Sequence, residues 1–449
     1  MSKVQAQVRP AFIEIATEFF SNYEYNNTEF VLKFLKKKDG WYVTEASYQY
    51  PDSVSNTTMF WSLKDKKYLP LLHYAKQNNV ADVERLVEDY LKMIDWDFLE
   101  YSFTRNKYYG YPGWDWDIIS DPNETPMTDT LLESLGRAYS NYATGFLYDQ
   151  SGDLFQNDDN DRIPLADRDT VSLSRRKKFI KYSEKAFEVY GKILAHDPAY
   201  ETRVGNIQIK QANERLSMYT GLLIVGDTLN AKEVLKGTTY PDSLIQMGLA
   251  YLYAVPPKTI LFTGGDNDTY PLWYLQEVQN FRKDVLVINT SLLGLRRYIN
   301  MLDKKFKGSL FATKDSVYFA DNFEYFVYSQ PTTIAPKLDV SKFINDLNKI
   351  VFTSSGESKI NFKGMPLKRY ESKELYFNTT SGKTDSGVQI TIDKVLSLKD
   401  FLFMNEFMML DIISKNINSR PVYFTYMNSL FGDMLNYEGN IYKLMSTSE

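Results

Sequence analysis

Between residues 259 and 291 the chain changes character three times within about thirty residues, and that change restricts the fold more than any other feature. An apolar run, residues 260–263, stops at Gly264-Gly265, and a polar cluster follows at once: Asp266, Asn267, Asp268 and Thr269. A helical pattern is expected from near Pro271, a favoured first helical residue. A second apolar run, residues 285–288, ends at Asn289-Thr290-Ser291. The order is strand, loop, helix, strand. Consecutive strands joined by a helix pair in parallel, and both polar clusters then lie at carboxyl ends, where open α/β sheets place ligands. Gly264, Gly265, Asp266, Asn267, Asp268, Thr269, Asn289 and Ser291 are therefore the candidate ligand-binding residues.

Several chemistries compete for this loop. Asp266 and Asp268 could share one divalent cation against a sugar diphosphate, as paired acids do in sugar-nucleotide transferases. The phosphohydrolase pattern of two acids and a threonine is one residue short here. No glycine-rich dinucleotide fingerprint and no phosphate-loop lysine follows the glycines. The competing structural reading has Asp or Thr capping the helix and Asp266 and Asn267 holding a tight turn.

Composition removes other options. The chain has no Cys and two His, so thiol nucleophiles, disulfides and Cys/His zinc sites are excluded. His196 stands at a helix end, where a cation is favoured; His73 is expected to be packed on an apolar-periodic stretch. A formal charge of −5 gives no reason to expect nucleic acid as a partner. The basic run Arg175-Arg176-Lys177-Lys178 reads as the solvated face of a helix, or as a partner patch. No stretch approaches the roughly 20 apolar residues of a membrane span. Val4-Gln5-Ala6-Gln7 has the small-residue look of a signal-peptide tail, which suggests an extracytoplasmic protein, in the periplasm or associated with the outer membrane.

Periodicity divides the chain in three. Residues 1–72 read as a small α+β unit: a helix over 9–21, then strands over 29–34 and 41–48 about an Asp39-Gly40 turn, continued at 58–63 and 67–72. Residues 73–255 read as helical, with apolar spacing of three and four at 81–94, 127–147, 173–194, 207–223 and 241–253. Leu132, Leu135, Gly136 and Tyr139 match the first helix of a tetratricopeptide pair, and Ala186, Tyr190, Ile193 and Pro198 match the second. The segment between them is too long for a regular repeat. Residues 256–449 read as an α/β lobe with a partly parallel sheet, including strands over 387–392 and 420–425 and an apolar helix over 401–417. The fold class is thus a multidomain α+β protein.

Two other loops attract candidates. Asp158 and Asp161, in the oxygen-rich stretch 153–161, could hold a metal, but without the spacing of a helix-loop-helix calcium site. Tyr109, Tyr111, Trp114 and Trp116 lie in an aromatic loop broken by Gly and Pro, where rings can stack on a glycan or a partner.

The block Gly265-Asp-Asn-Asp-Thr-Tyr-Pro-Leu-Trp-Tyr-Leu-Gln-Glu-Val278, followed by Arg282-x-Asp284-Val285-x-Val287-Ile288-Asn289-x-Ser291-Leu292-Leu293, resembles the soluble C-terminal domain of a family of large bacterial membrane proteins of unassigned function, regarded as candidate protein O-mannosyltransferases. Met409-Leu410-Asp411-Ile412-Ile413, Arg420-Pro421-Val422-Tyr423-Phe424 and Tyr437-Glu438-Gly439 continue the resemblance, which covers about 258–446. Members carry many membrane spans, and their transferase chemistry is assigned to acids in that half. This chain lacks it, so no catalytic residue carries over. The resemblance implies an extracytoplasmic lobe separated from its enzyme.

The expectation is a non-catalytic, extracytoplasmic interaction or assembly protein of the bacterial cell envelope. It would bind a protein partner through its helical region and α/β lobe, with no cofactor. The alternative is a glycosylation-related enzyme or accessory that binds a sugar phosphate or glycan at Asp266 and Asp268, with a divalent cation.

Overall fold

The computed structural model describes residues 10–25, 30–37, 39–47, 54–77, 82–94, 113–120, 127–148, 170–202, 205–313, 325–331, 335–349, 368–377 and 395–445. It is a mixed α+β protein in two compact units, Met1–Glu214 and Arg215–Glu449. Tyr109, Tyr111, Asp158, Asp161 and the expected strand over 387–392 lie outside the described residues.

The first unit opens with the helix Phe12–Asn22 and an antiparallel meander, Phe30–Lys37, Gly40–Ser47, Val54–Ser62 and Lys67–Tyr68, paired in chain order. Lys37 pairs with Gly40, so the hairpin turns where the Asp-Gly signal predicts. Phe12, Phe19, Phe34, Trp41 and Phe60 are buried together. Phe19 meets Phe34, Phe60 and Tyr74 edge-on at 5.1–6.0 Å, the geometry the ring quadrupoles favour. The helix Val83–Ile94 adds Val87 and Tyr90 to this core.

Longer helices follow. Thr128 caps Asp129–Thr144 through a bond from Leu131 N–H, and Ser172 caps Leu173–His196 through one from Arg175 N–H. The second helix buries Phe179, Tyr182, Ala186, Val189, Tyr190 and Ile193, a stripe at spacings of three and four. The two fragments of the tetratricopeptide pattern lie on these two helices, which pack on each other. A Cβ at Gly136 would stand 2.7 Å from the Tyr190 ring, so glycine is needed for the close approach. Gly136→Ala gains helix propensity but must displace that ring. We expect a net loss of about 1 kcal/mol, read as a lower midpoint in thermal denaturation; a higher midpoint would refute the contact.

Two expectations fail in this unit. His73 is exposed in a turn rather than packed, because the apolar spacing around it belongs to the short strand and turn of the meander rather than to a helix. Arg175 is buried rather than solvated, and donates to the carbonyls of Phe146 and Gly145. Those carbonyls follow the end of Asp129–Thr144, where orphan acceptors need donors. His196 ends its helix and faces Asp129 at 2.9 Å, as its position suggests.

The second unit is built on a five-stranded mixed sheet in the order Leu435–Glu438, Ile441–Leu444, Val422–Phe424, Ile260–Thr263, Leu286–Asn289. The last three strands run parallel, with Val422 opposite Ile260 and Ile260 opposite Leu286. They are buried throughout, which is why they read as apolar runs without alternation. Leu261, Val287 and Tyr423 face a cluster with Leu252, Leu272 and Leu275, from the helices Asp242–Ala254 and Gly265–Glu277. Ile260, Phe262, Ile288 and Phe424 face the larger cluster, with Met408 and Ile412 of the helix Met404–Asn416.

Among the described residues this unit also has two three-stranded sheets: Lys368–Tyr370, Tyr325–Tyr328, Phe401–Phe403; and Leu338–Asp339, Glu374–Tyr376, Leu396–Ser397. The expected helix over 401–417 therefore loses its first turn to a strand. Phe401-Leu402-Phe403 alternates exposed, buried, exposed, the period of a strand, and the helix begins at Met404 with Phe403 N–H on the Glu406 carboxylate at 2.9 Å. Among the described residues no helix is long and apolar enough to cross a membrane.

Candidate functional site

Strand Ile260–Thr263 ends in Gly264 and turns directly into the helix Gly265–Glu277. The returning strand, Leu286–Asn289, pairs Asn289 with Thr263. Thr425 follows the third parallel strand, its N–H on Phe262 O at 3.0 Å. Thr263, Gly264, Asn289, Thr290 and Thr425 thus gather at one carboxyl edge.

The helix starts six residues before Pro271, not at it. Asp266, Asn267, Asp268 and Thr269 form its first turn rather than a loop, and neither Asp nor Thr is the cap: Gly264 holds that position without a side-chain bond. A proline inside a helix removes one donor. The carbonyl that would have received it belongs to Asn267, which is exposed and can meet water. The two glycines have separate reasons. A Cβ on Gly264 would lie 3.1 Å from the Tyr426 ring, and Gly265 has φ +71°, where a side chain is strained. Gly265→Ala should therefore lower stability by about 1–2 kcal/mol, measured by chemical denaturation. A neutral result would show that this turn relaxes freely.

Behind the turn the polar side chains satisfy one another. Thr269 Oγ1 donates to Gly265 O at 2.6 Å and lies 2.7 Å from Thr263 Oγ1. Asn289 Nδ2 donates to Thr269 Oγ1 at 3.1 Å, while Asn289 Oδ1 accepts from the N–H groups of Ser291 (2.9 Å) and Leu292 (3.3 Å). Thr290 Oγ1 donates to Thr263 O and meets Tyr426 Oη, both at 3.0 Å, and Asn428 Nδ2 donates to that phenol oxygen at 2.9 Å. Buried polar groups paired in this way fix one arrangement of the edge.

The two acids separate. Thr425 Oγ1 donates to Asp268 Oδ2 at 3.0 Å. Burial pushes the Asp268 pKa up, and hydrogen bonds from Thr425 and the Gly264 main chain pull it back. Asp266 instead hydrogen-bonds to the Tyr270 phenol, which also bonds to Ser217. Residues two apart on a helix point to different sides, so a cation shared between Asp266 and Asp268 would need one of them to leave its partner. Gly265, Asp266, Asn267 and Ser291 are exposed; Asp268 is half-buried; Thr269 and Asn289 are buried. Among the described residues no three His, Asp or Glu side chains are grouped to hold a metal ion.

Trp114 and Trp116 open the helix Trp114–Ser120 rather than occupying a loop. Both are half-buried: Trp114 packs on the core of the first meander, and Trp116 lies 5.1 Å from the Tyr142 ring. Thr263, Thr290, Thr425 and Tyr426 belong to the edge but are not among the candidates expected from the sequence, although Thr290 stands in the second polar cluster. The signal for the last two is the run 420–425, whose carboxyl end carries the same rule as the other two strands once it is paired in parallel.

The remaining motif residues hold the scaffold. Arg282 donates to the carbonyls of Leu252, Val255 (3.1 Å) and Pro256 (3.0 Å) at the end of the helix Asp242–Ala254, and pairs with Asp284 at 2.9 Å. That pair holds the Asp284 pKa down at about 2. Gly439, at φ +78°, turns the hairpin Leu435–Glu438 and Ile441–Leu444.

Residues 244–449 match a family model described as TMEM260-associated domain 2. The match begins inside the helix Asp242–Ala254 and takes in the five-stranded sheet and the carboxyl edge. This part of the chain is similar to that TMEM260-associated domain. No curated protein and no solved structure matches the chain.

Proposed function

We propose that the chain is a non-catalytic protein of the bacterial cell envelope, placed outside the cytoplasm, that binds a protein partner through its helices and its C-terminal domain. The observation that carries this reading is the use of the carboxyl edge by the fold itself. Thr263, Thr269, Asn289, Thr290 and Asp268 each spend their polar atoms on neighbouring main chain or side chains. The helix pair joined at Gly136 and Tyr190 supports reading the first unit as tetratricopeptide-like, an architecture that presents partner-binding faces. Crosslinking of the full chain in intact cells, read by mass spectrometry, should return one dominant envelope protein.

A second reading follows from the exposed start of the helix Gly265–Glu277 together with the TMEM260-related domain. The sequence family that this domain resembles is regarded as candidate protein O-mannosyltransferases, and N–H groups at a helix start donate to phosphate oxygens. On this reading a sugar nucleotide with Mn²⁺ raises the melting temperature, and Asp268→Ala abolishes the rise. Release of nucleotide by the purified chain, lost in Asp268→Ala, would end the non-catalytic reading.

A further inference from the structure

Lys177, Lys181 and Lys185 stand four residues apart on the helix Leu173–His196 and so form one stripe, with Lys178 beside it. Lys177 and Lys181 are exposed and Lys185 is half-buried. Like charges at this spacing repel and weaken a helix. None of these three lysines has a carboxylate in ion-pair reach among the described residues. The chain is acidic overall, at −5, and although Glu184 and Glu188 stand three residues after Lys181 and Lys185 on this helix, neither forms an ion pair with these lysines.

The ammonium groups of Lys181 and Lys185 also rest against rings. Lys185 Nζ lies 5.2 Å from the Tyr139 ring centre and 5.6 Å from that of Tyr182, and Lys181 Nζ lies 5.1 Å from Tyr182. Lys178 stands 5.8 Å from Phe146. The rings form a platform: Phe146 and Tyr182 are stacked at 5.9 Å, and Tyr139 and Tyr182 at 6.2 Å. Lysines resting on rings lose less freedom on binding. Burial and the neighbouring Lys181 charge both lower the Lys178 pKa, which fits a crowded positive face.

We propose that Lys177, Lys181 and Lys185 dock an extended acidic segment of a partner protein, with carboxylates at alternate positions. Four residues of helix advance about 6 Å. Two residues of extended chain advance about 6.6 Å. Each lysine can therefore meet one carboxylate in turn. This identification of the partner's chemistry rests on the protein-binding reading above.

The test uses the full chain and a fluorescein-labelled Glu-Ser repeat peptide, with its Gln-Ser counterpart as control, read by fluorescence anisotropy. The Glu-Ser peptide should bind and the Gln-Ser peptide should not. Binding should be lost near 1 M NaCl, where the screening length falls to about 3 Å. The combined variant Lys177→Gln, Lys181→Gln, Lys185→Gln should weaken Kd at least about tenfold, and the matching Arg variant should keep it near the parent. Circular dichroism melts of both variants separate loss of charge from loss of fold. Equal binding of the two peptides, or an unchanged Kd in the Gln variant, overturns the proposal. A sulfated polysaccharide that binds more tightly and displaces the peptide makes the ligand a glycan and also overturns it. If Asp153→Asn, Asp158→Asn, Asp159→Asn and Asp161→Asn together raise peptide affinity about tenfold, the occupant is the chain's own acidic segment and the partner falls. A crosslinked envelope partner retained by the Gln variant would refute the stripe and leave the protein-binding reading standing. Lysine-dependent peptide binding with no crosslinked partner would do the reverse.

Discussion

Asn289→Ala should destabilise the C-terminal domain by about 3 kcal/mol, the second largest single effect we expect. The side chain is 2% exposed and joins three segments. Its Nδ2 reaches Thr269 Oγ1 at 3.1 Å, and more weakly Gly265 O at 3.5 Å, both on the helix that follows the first strand. Its Oδ1 takes the N–H groups of Ser291 and Leu292, which start the 3-10 turn Ser291–Gly294. Alanine removes all of these, leaving the main-chain donors of the exposed Ser291 and the half-buried Leu292, and the buried Thr269 hydroxyl, without this partner, each costing about 1–3 kcal/mol and less where water reaches. A double-mutant cycle with Thr269→Val should give a coupling of about 0.5–3 kcal/mol, because the two side chains share one network. Urea denaturation followed by a probe in this domain measures both. A loss under about 1 kcal/mol, with no coupling, would mean that the edge is not held by this side chain. A folded Asn289→Ala chain should still bind its partner, since the proposed role of the edge is structural.

How far the sequence discloses this arrangement depends on whether local or long-range pairing decides each element. The strand–helix–strand order over 259–291 is legible because its apolar runs are continuous and its punctuation is local. The meeting of Asn289 with Gly265 follows from the parallel crossover. The start of the helix Gly265–Glu277 is misplaced, because Pro271 looks like a first helical residue and only the positive φ of Gly265 allows the turn to tighten earlier. Thr425 and Tyr426 stay hidden, since their place depends on pairing Val422–Phe424 with a strand about 160 residues earlier in the chain, a contact no local pattern encodes. The same holds for Phe401–Phe403, whose partner strand Tyr325–Tyr328 decides that it is not helix. Trp114 and Trp116 are read as a loop because Gly110, Pro112 and Gly113 precede them, whereas the helix begins just after the last of these. Arg282 and Asp411 are legible as motif members but not as fasteners, because what they fasten lies elsewhere.

Asp411→Asn should remove the largest carboxylate-linked pH dependence of stability among the described residues. The carboxyl is fully buried on the helix Met404–Asn416, where Oδ1 accepts from Ala312 N–H at 3.1 Å and Oδ2 from Thr313 N–H at 3.3 Å. Asn416, on the same helix, donates to Leu310 O at 2.8 Å, so the two side chains together tie residues 310–313 to the helix. Burial pushes the Asp411 pKa from an ordinary 3.8 up to about 7, against the pull of the two N–H donors and of Lys415. Between these values the folded chain holds a proton that the unfolded chain has already released. Stability therefore falls as pH rises from about 4 to about 7, and levels off above, by on the order of 4 kcal/mol in total. Below about 4 both states are protonated and the penalty vanishes. Asparagine carries no charge and loses one of the two N–H bonds, so it should cost about 1–3 kcal/mol at acid pH and match or exceed the parent above pH about 7. The stability curves of the two proteins should cross. Hydrogen exchange of the Met404–Asn416 amides, followed from about pH 5 to 8 and corrected for intrinsic rates, isolates this helix from the other unit. An equal pH slope in both proteins would show that Asp411 does not titrate in this range, and that its two N–H donors outweigh the burial.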